Sequence, residues 1–194
     1  SKVSIPLTIG SCNFDSSKSE INTSNPEKSS YIHLPDSNNL KGGAQFSYSF
    51  WIDIKSNTPL KQSNAIIFTR GSLRKGFITP QQPAEKSILS KCPMVKFVSK
   101  GADTTDIFPE IEISFNTTKH PDNKVTLDEE VFTMIQSSVG NPRWFLLSFT
   151  FQDYFDFTDS EMGVQVQCFI NDNLVKTQTI KNDSIKINHG NVFI

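Results

Sequence analysis

Asn141-Pro142-Arg143-Trp144-Phe145-Leu146-Leu147-Ser148-Phe149-Thr150-Phe151 and, after a polar interval, Val164-Gln165-Val166-Gln167-Cys168-Phe169-Ile170-Asn171-Asp172-Asn173-Leu174-Val175 decide the fold class of this chain. The first stretch is dense in aromatic residues, which suit a pleated, buried strand. The second reads as a strand that reverses at Asn171-Asp172-Asn173, residue types that tolerate φ > 0 in a tight hairpin. Together they describe adjacent antiparallel strands of a sandwich.

The same period extends outward. Phe46, Tyr48, Phe50, Ile52 and Ile54 share one face of a strand, and Ser47, Ser49, Trp51 and Asp53 share the other. In Ile107 to Phe115, Ile111, Ile113 and Phe115 alternate with Glu110, Glu112 and Ser114. Further strands are expected at Tyr31–Leu34, Ala65–Thr69, Met94–Val98, Leu174–Ile180 and Ile185–Ile187. Arg70 to Gly76 breaks the pattern as a basic loop, and the Pro-rich run through Pro83 to Pro93 extends it as a long excursion. Leu127 to Ser138 admits either a short helix, opened by Asp128-Glu129-Glu130, or a strand. Short strands with almost no helical period predict an all-β fold of two antiparallel sheets packed as a β-sandwich. Residues 1–30 form a polar N-terminal arm in which Val3, Ile5 and Leu7 can add an edge strand, and residues 31–194 form the sandwich.

Composition sets the remaining bounds. The chain has 194 residues, 36% hydrophobic and 20% charged, which is globular rather than disordered. It holds 16 Phe against 2 Trp and 3 Tyr, so phenylalanine must fill much of the core. A net charge of −1, with both signs interspersed, removes the basic footprint of a nucleic-acid binder and of a membrane-surface patch. No apolar run approaches the ~18 residues of a membrane span. No basic segment followed by an apolar run marks a signal peptide. Cys12, Cys92 and Cys168 have no CxxC or zinc spacing and are expected to be free thiols. Sequons at Asn22, Asn116 and Asn182 matter only in a secreted protein. His33, His120 and His189 are scattered, without a paired ligand at metal spacing.

Phe46–Ile52, Ile66–Gly71, Arg143–Phe151 and Cys168–Val175, in that order, resemble the concanavalin A-like, laminin-G-like jelly-roll family over about Tyr31 to Ile194. Gly42 to Trp51 is similar to lectin-like proteins encoded by large DNA viruses. Asn171-Asp172-Asn173 stands where the family has Asn-Gly. The family also continues past the strand corresponding to Asn191–Ile194, so the resemblance implies either a sandwich truncated at its C-terminal strand, as a fragment of a longer protein, or a sheet edge covered by something else; an exposed edge would invite strand addition by a partner.

The resemblance implies several candidate sites. Glucanases of the family carry E-x-D-x-x-E on one strand. Glu110 and Glu112 would share a face here, but Ser114, Phe115 and Asn116 occupy the possible places of the third acid. Solvated carboxylates on a half-buried strand are the simpler reading. No cofactor is expected from the residues; calcium is the one the resemblance allows, through Asp153, Asp156 and Asp159 in the loop after the tryptophan strand, and a solvated acidic loop is the simpler reading of those three. Trp51 could stack on a sugar ring, although packing between the sheets or under a loop is the commoner place for a large aromatic. The expected function is a non-catalytic interaction or assembly module, foremost a virion structural (minor capsid) protein with other structural proteins as partners. A glycan-binding lectin domain is the alternative, and a β-glucanase-like hydrolase the second alternative. The expected location is the virion, or otherwise the cytoplasm.

Overall fold

The structure, a computed structural model, describes residues 20–21, 43–53, 65–73, 88–98, 110–128, 131, 144–187 and 191–193. The strands are β1 (Glu20–Ile21), β2 (Gln45–Asp53), β3 (Ala65–Leu73), β4 (Ile88–Val98), β5 (Glu110–Phe115), β6 (Asn123–Leu127), β7 (Trp144–Asp156), β8 (Glu161–Ile170), β9 (Asn173–Lys181) and β10 (Asn191–Phe193). They form a six-stranded sheet in the order β1-β10-β3-β4-β5-β6 and a four-stranded sheet in the order β2-β7-β8-β9. Every pairing is antiparallel. The chain is therefore an all-β, two-sheet β-sandwich.

Period-2 alternation builds the core. On β7, Phe145, Leu147, Phe149 and Phe151 are buried, while Trp144 and Gln152 are exposed. The matching faces of β5 and β8 supply Ile111, Ile113 and Phe115, and Val164, Val166, Cys168 and Ile170. Aromatic rings bridge the two layers. Phe115 of the six-stranded sheet meets Phe151 edge-on at 5.1 Å, and Phe68 packs against Tyr48 at 4.9 Å and Phe50 at 5.6 Å. Cys92 and Cys168 are free and buried, and desolvation pushes both thiols up to about 12. Asn171 and Asp172 close the β8–β9 hairpin with φ of 47° and 65°. The main chain of Asn171 and the Oδ1 of its side chain also pair with Leu146 on β7, each contact at 2.9 Å.

Several boundaries differ from the sequence expectation. β3 continues through Arg70 and Gly71 to Leu73, where a break was expected. β4 begins at Ile88 and contains Pro93, behind a cis Cys92-Pro93 peptide. The register with β3 slips by one residue there, because proline has no N–H for the ladder. β6 and the short β1 were not foreseen. Ile185 makes an isolated bridge to Thr117 rather than a strand. The tryptophan strand runs on to Asp156, so Asp153 and Asp156 belong to β7 and not to a loop. Asn191–Phe193 is not an open edge: β10 lies between β1 and β3, and Val192 is fully buried. The expected strands at Val3–Leu7 and Tyr31–Leu34, and Ile54, Cys12, Asn22, His33 and His189, lie outside the described residues. Of the ambiguous Leu127 to Ser138, only 127, 128 and 131 are described.

Asp153 ties three distant segments together. It sits on the core face of β7 and is buried. The N–H groups of Ala44 and Ile185 each donate to its carboxylate at 2.8 Å, and its own N–H donates to the Ala44 carbonyl at 2.8 Å. Gly43 permits this approach. Its φ is +89°, and a Cβ there would lie 2.2 Å from the Asp153 Cβ. Gly43→Ala should therefore lower stability by on the order of 3 kcal/mol, through both a left-handed backbone and a core clash. Urea unfolding followed by tryptophan fluorescence checks this.

Candidate functional site

The two sheets present very different outer faces. On the six-stranded sheet, several side chains that alternate away from the core are themselves covered, although Lys124 on β6 is exposed. Met94 is fully buried, and Lys96 and Ser114 are nearly so. Glu112 lies among them. Its carboxylate accepts from Ser114 Oγ at 2.9 Å and pairs with Lys96 Nζ at 3.2 Å and Lys124 Nζ at 3.3 Å. Desolvation alone would raise its pKa. The hydrogen bonds from Ser114 and Lys96, with the charges of Lys96 and Lys124, outweigh that and hold it below the ordinary glutamate range. Glu110 is on the same face, as the alternation predicted. Glu112 is thus a carboxylate held ionised by two ammonium groups, opposite to the raised pKa of a glycosidase general acid.

The three calcium candidates do not converge. Asp153 points inward and spends its oxygens on two backbone amides, as described above. Burial pushes its carboxyl up, against the pull of those amides. Asp156 Oδ1 accepts from the Thr158 N–H at 2.9 Å within the turn, and Asp159 Oδ2 pairs with Lys181 Nζ at 2.8 Å. Among the described residues, no three His, Cys, Asp or Glu side chains come together as a metal site. The expectation of a loop site fails because strand pairing turns Asp153 into the core. Millimolar calcium should leave the melting temperature unchanged in a thermal-shift assay.

The outer face of the four-stranded sheet is open. The registers place Gln45, Gln152, Gln165 and Thr179 in one cross-strand row. Ser47, Thr150, Gln167 and Thr177 make the next, and Ser49, Ser148, Phe169 and Leu174 the third. Trp51 opposite Leu146 begins a fourth. These rows contain no charged residue, and none of their side chains is buried. Trp51 is 62% exposed, Trp144 51% and Leu174 52%. Trp51 therefore does not pack between the sheets or under a loop. It stands on the solvent face, where its place in the alternation put it.

A second polar cluster was invisible in the sequence. Asp183 follows β9 and has a fully buried side chain. It accepts from Thr117 Oγ1 at 2.6 Å, Thr118 Oγ1 at 2.8 Å, the Ser184 N–H at 2.8 Å and the Lys119 N–H at 3.1 Å. His120 Nδ1 lies 2.9 Å away. Desolvation opposes ionisation, but the hydrogen bonds from Thr117, His120, Thr118 and Ser184 prevail and hold the carboxyl far below the ordinary aspartate range. The cluster joins the β5–β6 connection to the segment after β9. It also occupies two sequons: Asn116 is buried, accepting from the Lys91 N–H and donating to the Pro121 carbonyl, and Asn182 accepts from Lys119 Nζ. A buried Asn116 is not available as a glycan acceptor in the folded chain.

No protein-family model matches the chain, and neither a curated protein nor a solved structure matches it. Among the described residues, no helix is long and apolar enough to cross a membrane.

Glu112 and Asp183 together predict the acid limb of stability. Both have folded pKa values below their unfolded ones, so each stabilises the fold above the unfolded carboxylate pKa, about 4. That contribution is lost as pH falls through the lower folded values. Asp153, shifted the other way, opposes the trend in part. Asp183→Asn should flatten the fall of melting temperature between about pH 5 and pH 2, and Asp183→Ala should cost on the order of 2–3 kcal/mol at pH 7. Melting curves across pH check both.

Proposed function

We propose that this chain is a non-catalytic interaction module, a component of a larger assembly, and that it works through the outer face of the four-stranded sheet. One observation carries the reading: four successive rows of one sheet face, edged by Trp51, are uncharged and open to solvent, while Met94, Lys96 and Ser114 on the outward side of the opposite sheet are covered. The cores of protein interfaces are depleted of charge and enriched in aromatic residues. Large apolar side chains left exposed together mark interaction surfaces. The ionised, doubly paired Glu112, with Ser114 in the place of a third acid, supports a role without glycosidase chemistry.

The setting we propose, a virion in which the chain is a minor capsid protein, rests on the resemblance of Gly42 to Trp51 alone. A second reading, a glycan-binding lectin domain, is favoured by the position of Trp51 beside Gln, Ser and Thr side chains. Those residue types stack on neutral sugars and hydrogen-bond to their hydroxyls. Hydroxyl-radical footprinting read by mass spectrometry tests the leading reading. Trp51 should be oxidised readily in the free chain and protected in purified particles. Particles that lack the chain remove the virion setting, and an unprotected Trp51 in particles that contain it removes the face.

A further inference from the structure

We propose that the end of the β7–β8 hairpin is an anchor that enters an apolar pocket on another protein, a pocket with lysine or arginine around its mouth. This surface lies beyond the four uncharged rows, so the inference does not depend on the reading of that face.

The hairpin runs past the layer opposite it. On the core side of β7 and β8 the successive rows are Phe151 with Val166, Asp153 with Val164, and Phe155 with Met162. The first two rows are buried, but Phe155 is 45% exposed and Met162 is only partly covered. Phe157 follows in the turn and is 86% exposed. A hairpin that leaves the core needs only polar residues there. This one carries its apolar side on into water as Phe155, Phe157 and Met162, and large apolar groups exposed together mark a contact surface.

The end is also held in shape. The rings of Phe155 and Phe157 meet edge-on, 5.1 Å apart at 78°. Tyr154 lies over Gly163, so close that a Cβ there would come within 2.6 Å of its Cζ. The Asp183 N–H donates to the Met162 carbonyl at 3.1 Å, and the Thr158 N–H donates to Asp156 Oδ1 at 2.9 Å. Groups already fixed lose little freedom on binding, and aromatic side chains that fill pockets carry much of the stability of protein interfaces.

Charge selects the occupant. Asp156 and Glu161 form the last row of the hairpin, on its outward side, and Asp159 follows in the turn. Lys181, opposite Gly163 on β9, pairs with Asp159 at 2.8 Å. Among the described residues of these strands, three carboxylates against one ammonium thus make an acidic collar around the two rings. An anionic lipid surface repels such a collar, and so does a second copy presenting its own. A protein pocket with a basic mouth attracts it, while an apolar floor takes the rings.

Photocrosslinking of the full chain tests the proposal. p-Benzoylphenylalanine takes the place of Thr158, which is exposed beside the rings, and the chain is irradiated in the cells or particles that contain it. The expected result is a crosslink to another protein, mapped by mass spectrometry to a peptide whose apolar residues are flanked by Lys or Arg. Phe157→Ser should cut the yield about tenfold or more. Asp159→Lys with Glu161→Lys, which reverses the collar without touching the rings, should cut it comparably, with a melting temperature close to the parent's. In an extract, raising NaCl from about 0.05 to about 0.5 M should weaken the parent's crosslink, because salt screens the collar. The inference is overturned by no crosslink, by a crosslink to the chain's own copies, or by a mapped peptide without basic residues. A yield that survives either variant overturns it too. Sedimentation with phosphatidylcholine vesicles, with and without phosphatidylserine, should leave the chain in the supernatant. Pelleting that Phe157→Ser abolishes would give the rings to a bilayer instead, against the inference.

Discussion

The structure depends on aromatic rings that cross from one sheet to the other. Phe115 against Phe151, and Phe68 against Tyr48 and Phe50, join the two layers within a core that also buries Ile111, Ile113, Leu147, Phe149 and Ile170. Each ring removes roughly 150–250 Å² from water, and edge-on geometry adds a directional preference that aliphatic packing lacks. Because the rings lie on alternate residues of β2 and β7, each strand's intervening residues must face outward. The aromatic core and the open polar face are two consequences of one pleat.

Polar groups finish what the rings begin. A sandwich leaves the main chain unpaired wherever a strand ends, and buried amides need acceptors. Asp153 supplies them for the start of β2 and for Ile185, segments that lie 109 and 32 residues from it in sequence. Asp183 does the same for the β5–β6 connection, 63 to 66 residues away. Both carboxylates sit at one end of the sandwich, and their shifts run in opposite senses for a physical reason. Asp153 receives two amides in a dry site, where desolvation prevails. Asp183 receives two hydroxyls and two amides with an imidazole alongside, and these prevail over desolvation. Neither acid is free to act as a calcium ligand without dismantling the join it makes.

The two outer faces divide the labour. The six-stranded sheet covers Met94, Lys96 and Ser114 on its outward side and neutralises Glu112 with Lys96 and Lys124. The four-stranded sheet leaves four outward rows, from Gln45 to Trp51, open and without charge, and the charges of Asp156, Glu161 and Lys181 stand beyond them toward the β7–β8 turn. A surface that avoids charge over several strands while presenting tryptophan is costly to expose to water unless something covers it. This is the physical basis for reading the chain as a module that offers surface.

Local pattern alone was enough for β2, β5, β7, β8 and β9, the buried side of β7 and β8, the hairpin at Asn171-Asp172 and the shared face of Glu110 and Glu112. These follow from a two-residue period and from backbone tolerance, properties that need no distant partner. The same period also held two answers that were set aside, one for a loop site implied by the resemblance and one for the usual burial of a large aromatic. Counting from Phe149 and Phe151 places Asp153 in the core, and counting from Phe50 places Trp51 outside. The continuation of β3 past Gly71, Pro93 within β4, and the lysines around Glu112 were not legible, because register between strands is set across the sheet. The place of β10 between β1 and β3, and the gathering of Thr117, His120 and Asp183, were decided by tertiary structure alone. Residues far apart in sequence acquire a shared environment only when two sheets stack, and no local spacing encodes which ends will meet.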